Sequence, residues 1–138
     1  MKKILFCLSF SFLLIACGPN EEDKEIETIY TELMEGHDSV MPKSMQLPKL
    51  KAEVLKVVNE LPEGDSLKIV AINLGKELIT ANEDMYTWMD EFAVAMNDVE
   101  DKGEKLKLYK SLNTEIKEIG EATDLAIETA NKFLKEHE

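Results

Sequence analysis

The sequence predicts an all-α protein: an up-down-up three-helix bundle of long helices, with a proline-kinked first helix. Three observations predict it. Apolar residues recur in unbroken four–three steps over two long stretches, one within 66–99 and one from 104 onward. Only five glycines (Gly36, Gly64, Gly75, Gly103 and Gly120) fall past residue 20, and β-branched runs are scarce. Apart from two prolines in the first segment, the breaker-rich stretches are confined to 61–66 and 97–103. Such spacing and composition belong to helices rather than strands.

The first segment runs from Glu21 to Leu61 and contains Pro42 and Pro48. Every seventh residue is apolar: Ile26, Leu33, Val40, Leu47, Val54 and Leu61. The phase passes both prolines intact, which a chain reversal would have no reason to preserve. A length of about 40 residues also matches the two later segments, each about 50 Å long at 1.5 Å per residue. Pro42 lacks the amide that would serve the Asp38 carbonyl, so a kink is expected there. The alternative splits this segment into two short helices and gives a four-helix bundle.

The stretch Leu61-Pro62-Glu63-Gly64-Asp65-Ser66 supplies a turn and then a capping residue. The second seam follows: Leu67, Ala71, Leu74, Leu78, Ala81, Met85, Trp88, Phe92, Ala95, Val99. The next turn, Asn97 to Gly103, has the outline of a calcium loop. Lys102 occupies a ligand position, however, and Tyr109 stands where the bidentate Glu belongs, so that reading is rejected. The third seam is Tyr109, Leu112, Ile116, Ile119, Thr123, Ala126, Ala130, Phe133 and His137.

The N-terminus sets the expected location. Lys2 and Lys3 precede an apolar run from Ile4 to Ala16. That run is too short to span a bilayer, which takes about 20 residues, and fits the core of a secretory signal. It ends in Leu14-Ile15-Ala16-Cys17, which resembles the bacterial lipobox, with Cys17 as the residue to be lipidated. The expected organisation is a lipoprotein signal peptide over 1–16, a lipidated tether over 17–23 and one helical-bundle domain over 24–138. Cys7 lies in the signal, so the mature chain would carry no disulfide. Two or three acyl chains anchor firmly without a transmembrane helix. Gly18 follows the cysteine, not the Asp of an inner-membrane retention signal. Glu21-Glu22-Asp23 resembles the surface-export signal of Bacteroidota lipoproteins, and it equally suits the first turn of a helix.

Charge excludes several function classes. The chain has 16 lysines, no arginine and 28 acidic residues, for a net charge of −12. Nucleic-acid binding is not expected, since it needs a cationic patch. Phosphate-handling chemistry is disfavoured by the missing arginine forks.

The stretch Met34 to Met45 concentrates three methionines and His37. Across the first turn, antiparallel neighbours would set His37 opposite about residue 90, Met34 opposite about 93 and Met41 opposite about 86. Met34, His37 and Met41 would therefore meet Met85, Trp88 and Met89. Thioether and imidazole ligands beside an indole face suit a soft metal of the copper type. A small ligand or partner could use the same cluster. The plainer expectation is a methionine-rich core that fills the gap at a kink, with His37 bonded to Asp84 or Asp90. His37 on the seam could also fix helix register, and His137 suits the negative end of the last helix.

No enzyme is expected. A di-iron bundle needs Glu-x-x-His pairs, but Met34 precedes His37 by three and Leu134 precedes His137 by three. No zinc-protease helix motif, nucleophile elbow or glycine-rich phosphate loop is present.

The pieces His37-Asp38-x-Val40-Met41-Pro42-Lys43 and Asp84-Met85-x-x-Trp88-Met89-x-x-Phe92 resemble two signatures of small Bacteroidota lipoproteins often labelled "viral A-type inclusion protein". The resemblance covers residues 1 to 95 and departs at Ser44, which separates Lys43 from Met45. It implies an envelope location and helical architecture, and it transfers no catalytic residue. The expected function is that of an outer-membrane lipoprotein, periplasmic or surface-exposed, with a binding or structural role toward an envelope protein. The alternative is a soft-metal or small-ligand binder that uses the methionine, histidine and tryptophan cluster.

Overall fold

The computed structural model describes residues 20–137. The signal peptide expected over 1–16 and the lipidation of Cys17 lie outside them. The described residues form a helical bundle without strands, in four helical pieces: α1 (Glu21–Ser44), α2 (Leu47–Glu60), α3 (Ser66–Asn97) and α4 (Lys102–Glu136). Glu21, Glu22 and Asp23, placed in the tether by sequence, are the first turn of α1. Three carboxylates there suit the positive end of the helix dipole.

The later helices start where a carboxylate can cap them. The Asp65 side chain accepts from the Leu67 amide at 2.9 Å, and that of Asp101 from the Glu104 amide at 2.8 Å. Gly64 turns the chain before α3 with φ +83°, a conformation that a side chain would oppose.

Only Met45 and Gln46 separate α1 from α2. The helix runs through Pro42, where the kink was expected, and is interrupted after Ser44. Pro48 explains this. A proline at 48 has no amide for the carbonyl four residues back, that of Ser44. The local backbone repairs itself with substitutes. The Gln46 amide bonds the Lys43 carbonyl at 3.0 Å, and the Gln46 side chain donates to the Pro42 carbonyl at 3.0 Å. The Ser44 carbonyl receives the Asn82 side chain of α3.

Packing follows the seams. Leu33, Val40, Leu47 and Val54 are all buried, so the seven-residue phase does cross both prolines. α3 buries Ala71, Leu74, Leu78, Ala81, Met85, Trp88, Phe92 and Ala95. α4 buries Tyr109, Leu112, Ile116, Thr123, Ala126, Ala130 and Phe133. These residues form two apolar clusters, one joining α1 to the ends of α3 and α4 nearest their connection, the other joining α2 to the opposite ends. Between them along the chain lie the two buried polar residues, Ser44 and Thr123. The bundle is therefore two cores stacked end to end with a polar layer between.

Two glycines draw α1 and α4 together. A Cβ at Gly36 would stand 2.9 Å from Ile116 Cγ2, and one at Gly120 would stand 3.1 Å from Val40 Cγ2. Lysines bridge the same seam: Lys102 to Asp23, Lys110 to Glu25 at 2.7 Å, and Lys43 to Asp124 at 2.7 and 2.8 Å.

Candidate functional site

α1 and α3 face one another across a groove of about 260 Å³. From α1 it takes Tyr30, Met34 and His37, and from α3 it takes Met89, Phe92, Ala93 and Met96. The spacing is the same on both sides. Residues 30, 34 and 37, like 89, 93 and 96, lie four and then three apart, on one stripe of a helix. The lining is aromatic, thioether and imidazole.

Below the groove is an aromatic stack. The His37 ring lies over Trp88 with centroids 6.4 Å apart, and Trp88 over Phe92 at 5.2 Å. Phe92 then meets Tyr109 at 5.8 Å and Tyr30 at 5.9 Å. Trp88 is fixed from beneath, since its indole N–H donates to the Leu112 carbonyl at 2.9 Å. Burial pushes the Tyr109 phenol above its ordinary range, and the neighbouring Tyr30 adds to the shift.

The six sequence-derived candidates divide between different settings. Met34, His37 and Met89 line the groove. Met85 and Trp88 are fully buried core side chains. Met41 is half-buried against that same core and does not reach the groove. His37 bonds to neither Asp84 nor Asp90. Its Nδ1 is 3.0 Å from Asp38 Oδ1, and its side chain is 27% exposed, so it is half-buried at the edge of the core. Among the described residues no three His, Cys, Asp or Glu side chains converge as a metal-ligating group. His137 sits on Phe133 with centroids 4.5 Å apart, at the end of α4.

Tyr30 and Met96 were not singled out by sequence. The signal that could have found them is the shared four–three stripe with Met34 and Met89. Both lie off the buried seams, so the apolar period alone does not mark them.

Comparison with protein-family models, curated proteins and solved structures finds no match to this chain.

Proposed function

We propose that this chain is an envelope-anchored helical lipoprotein with a non-catalytic binding or structural role. In this reading Cys17 carries the lipid and the bundle stands on the outer membrane, facing the periplasm or the exterior. The observation that carries it joins sequence to fold: the lipobox-like Leu14-Ile15-Ala16-Cys17 ends four residues before α1 begins at Glu21. A bundle so tethered would lie against the headgroups. Resemblance to the small Bacteroidota lipoproteins supports the same location.

The reading includes an up-down-up arrangement in which α1 and α2 act as one arm bent at Met45–Gln46. The order of contacts supports it. Tyr30 meets Phe92, His37 meets Trp88 and Ser44 meets Asn82, so numbers rise on one side as they fall on the other. Between α1 and α4 the numbers rise together, from Asp23–Lys102 to Lys43–Asp124.

The test is lipidation itself. Cells fed an alkyne fatty acid should label the wild-type chain and leave Cys17→Ser unlabelled, and the variant should move from the membrane to the soluble fraction. Equal labelling of both, or membrane retention of the variant, would refute the anchor.

A second reading is favoured by the groove. Met34, His37 and Met89 line one cleft above the Trp88 ring, which is the ligand chemistry of a Cu(I) site. Copper binding there should quench Trp88 and raise thermal stability. Identical responses from wild type and His37→Ala would rule it out.

A further inference from the structure

We propose that the outer face of the α3–α4 pair is a docking groove for a cationic amphipathic helix. This deepens the binding role proposed above and is independent of the lipid anchor. Three hollows of about 340, 340 and 360 Å³ run along this face. Neighbouring hollows share walls: Glu91 and Glu115 belong to the first two, Asp84 and Ala122 to the first and third. Together they form one channel from Val94 and Leu108 at one end to Lys76 and Leu125 at the other. Along α3 this covers residues 76 to 95, about 28 Å at 1.5 Å per residue. A helix of about 18 residues has that length.

The floor is apolar. Trp88, Ala95, Leu112, Ile119 and Ala122 contribute to it, and the exposed Val94, Leu108 and Leu125 stand at its ends. The rim is acidic: Glu77, Asp84, Asp90, Glu91, Glu115 and Glu118. Lys76 at one end is the single cation in the lining.

Charge decides the occupant. On the α1–α4 seam the carboxylates Asp23, Glu25 and Asp124 are neutralised by lysines from the facing helix. Among the described residues, none of the six rim carboxylates takes part in an ion pair. The groove thus has the apolar floor that one side of an amphipathic helix needs, and a row of unpaired negative charges for its lysines or arginines. A second copy of this chain, with net charge −12 and the same acidic rim, would be repelled.

The experiment uses the full chain in nanodiscs of zwitterionic lipid, with empty discs as the blank. The probe is a fluorescent leucine–lysine amphipathic helix of about 18 residues, and its leucine–glutamate counterpart is the control. Anisotropy should show saturable binding of the lysine peptide alone. Glu91→Gln with Glu115→Gln should weaken it about tenfold. Glu25 and Glu32 face Lys110 and Lys117 across the α1–α4 seam, so Glu25→Gln with Glu32→Gln removes the same charge there and should leave binding within about twofold. Val94→Ser with Leu108→Ser, both at exposed positions, should also weaken it about tenfold. Equal losses from the two glutamine pairs would reduce the effect to net charge and overturn the proposal. So would binding of the glutamate peptide, or a dimer abolished by the Val94 and Leu108 changes. Membrane release of Cys17→Ser tests only the anchor, so the two failures remain distinct.

Discussion

The Asn82 side chain donates to the Ser44 carbonyl at 3.0 Å and lies 2.9 Å from the Ser44 hydroxyl. Ser44 is fully buried, and Pro48 has removed the amide that would otherwise serve its carbonyl. Asn82 of α3 therefore closes a gap in the first arm of the bundle. Asn82→Ala should cost about 2 kcal/mol in urea unfolding, because a buried carbonyl and a hydroxyl lose their partner together. In a Pro48→Ala background an amide becomes available at 48, and the cost of Asn82→Ala should fall by about 1 kcal/mol. Additive losses would show that the two residues do not serve the same carbonyl.

That relationship marks the boundary of what the sequence made legible. The apolar period carried through both prolines, and Leu33, Val40, Leu47 and Val54 are buried as the seven-residue phase requires. Period reports which face of a helix looks inward, and burial depends on that face alone. It does not report where hydrogen bonds are missing: a kink is expected at Pro42, which lies inside α1, and the helix is interrupted at Met45–Gln46. The deciding partner, Asn82, lies 38 positions away, and no local pattern points to it. The methionine and histidine cluster was legible in part for the same reason. Facing levels follow from helix rise, which brought His37 to Trp88. Exposure depends on how closely two helices approach, and α1 and α3 leave a groove that Met41 does not reach.

The approach of α1 to α4 rests on Gly36. Alanine there would gain about 1 kcal/mol of helix propensity. Its Cβ would also press against two carbons of Ile116, at 2.9 and 3.0 Å. Ile116 is almost wholly buried and branched at Cβ, so it has little freedom to turn away. Overpacking of this kind costs about 1–3 kcal/mol. Gly36→Ala should thus destabilise by about 1 kcal/mol net, and Gly36→Ala with Ile116→Val should recover most of it in chemical denaturation. A stabilised single variant would mean that the seam gives way easily.

Thr123 occupies the polar layer with no exposed surface, and its hydroxyl has no hydrogen-bond partner among the described residues. Valine has nearly the same shape and buries no polar atom. Thr123→Val should raise stability by about 1 kcal/mol, in contrast to the loss at Asn82. The comparison separates a polar group that bonds from one that is merely enclosed. A loss on Thr123→Val would assign the hydroxyl a bonding role.

Alkaline pH should act through Tyr109. Burial first, and Tyr30 second, raise its phenol above the ordinary value of 10.0. A raised folded-state value means that the unfolded chain gives up this proton at lower pH. The contribution to stability is whole below the ordinary tyrosine range and is lost as pH climbs through the folded-state value. Stability should therefore fall above about pH 10. Tyr109→Phe retains the ring contact with Phe92, whose centroid lies 5.8 Å away, and removes the titrating group. Its denaturation midpoint should decline less between about pH 9 and pH 11 than that of wild type, and tyrosinate absorbance should lose its latest-titrating component. Parallel declines in the two proteins would place the alkaline sensitivity elsewhere than Tyr109.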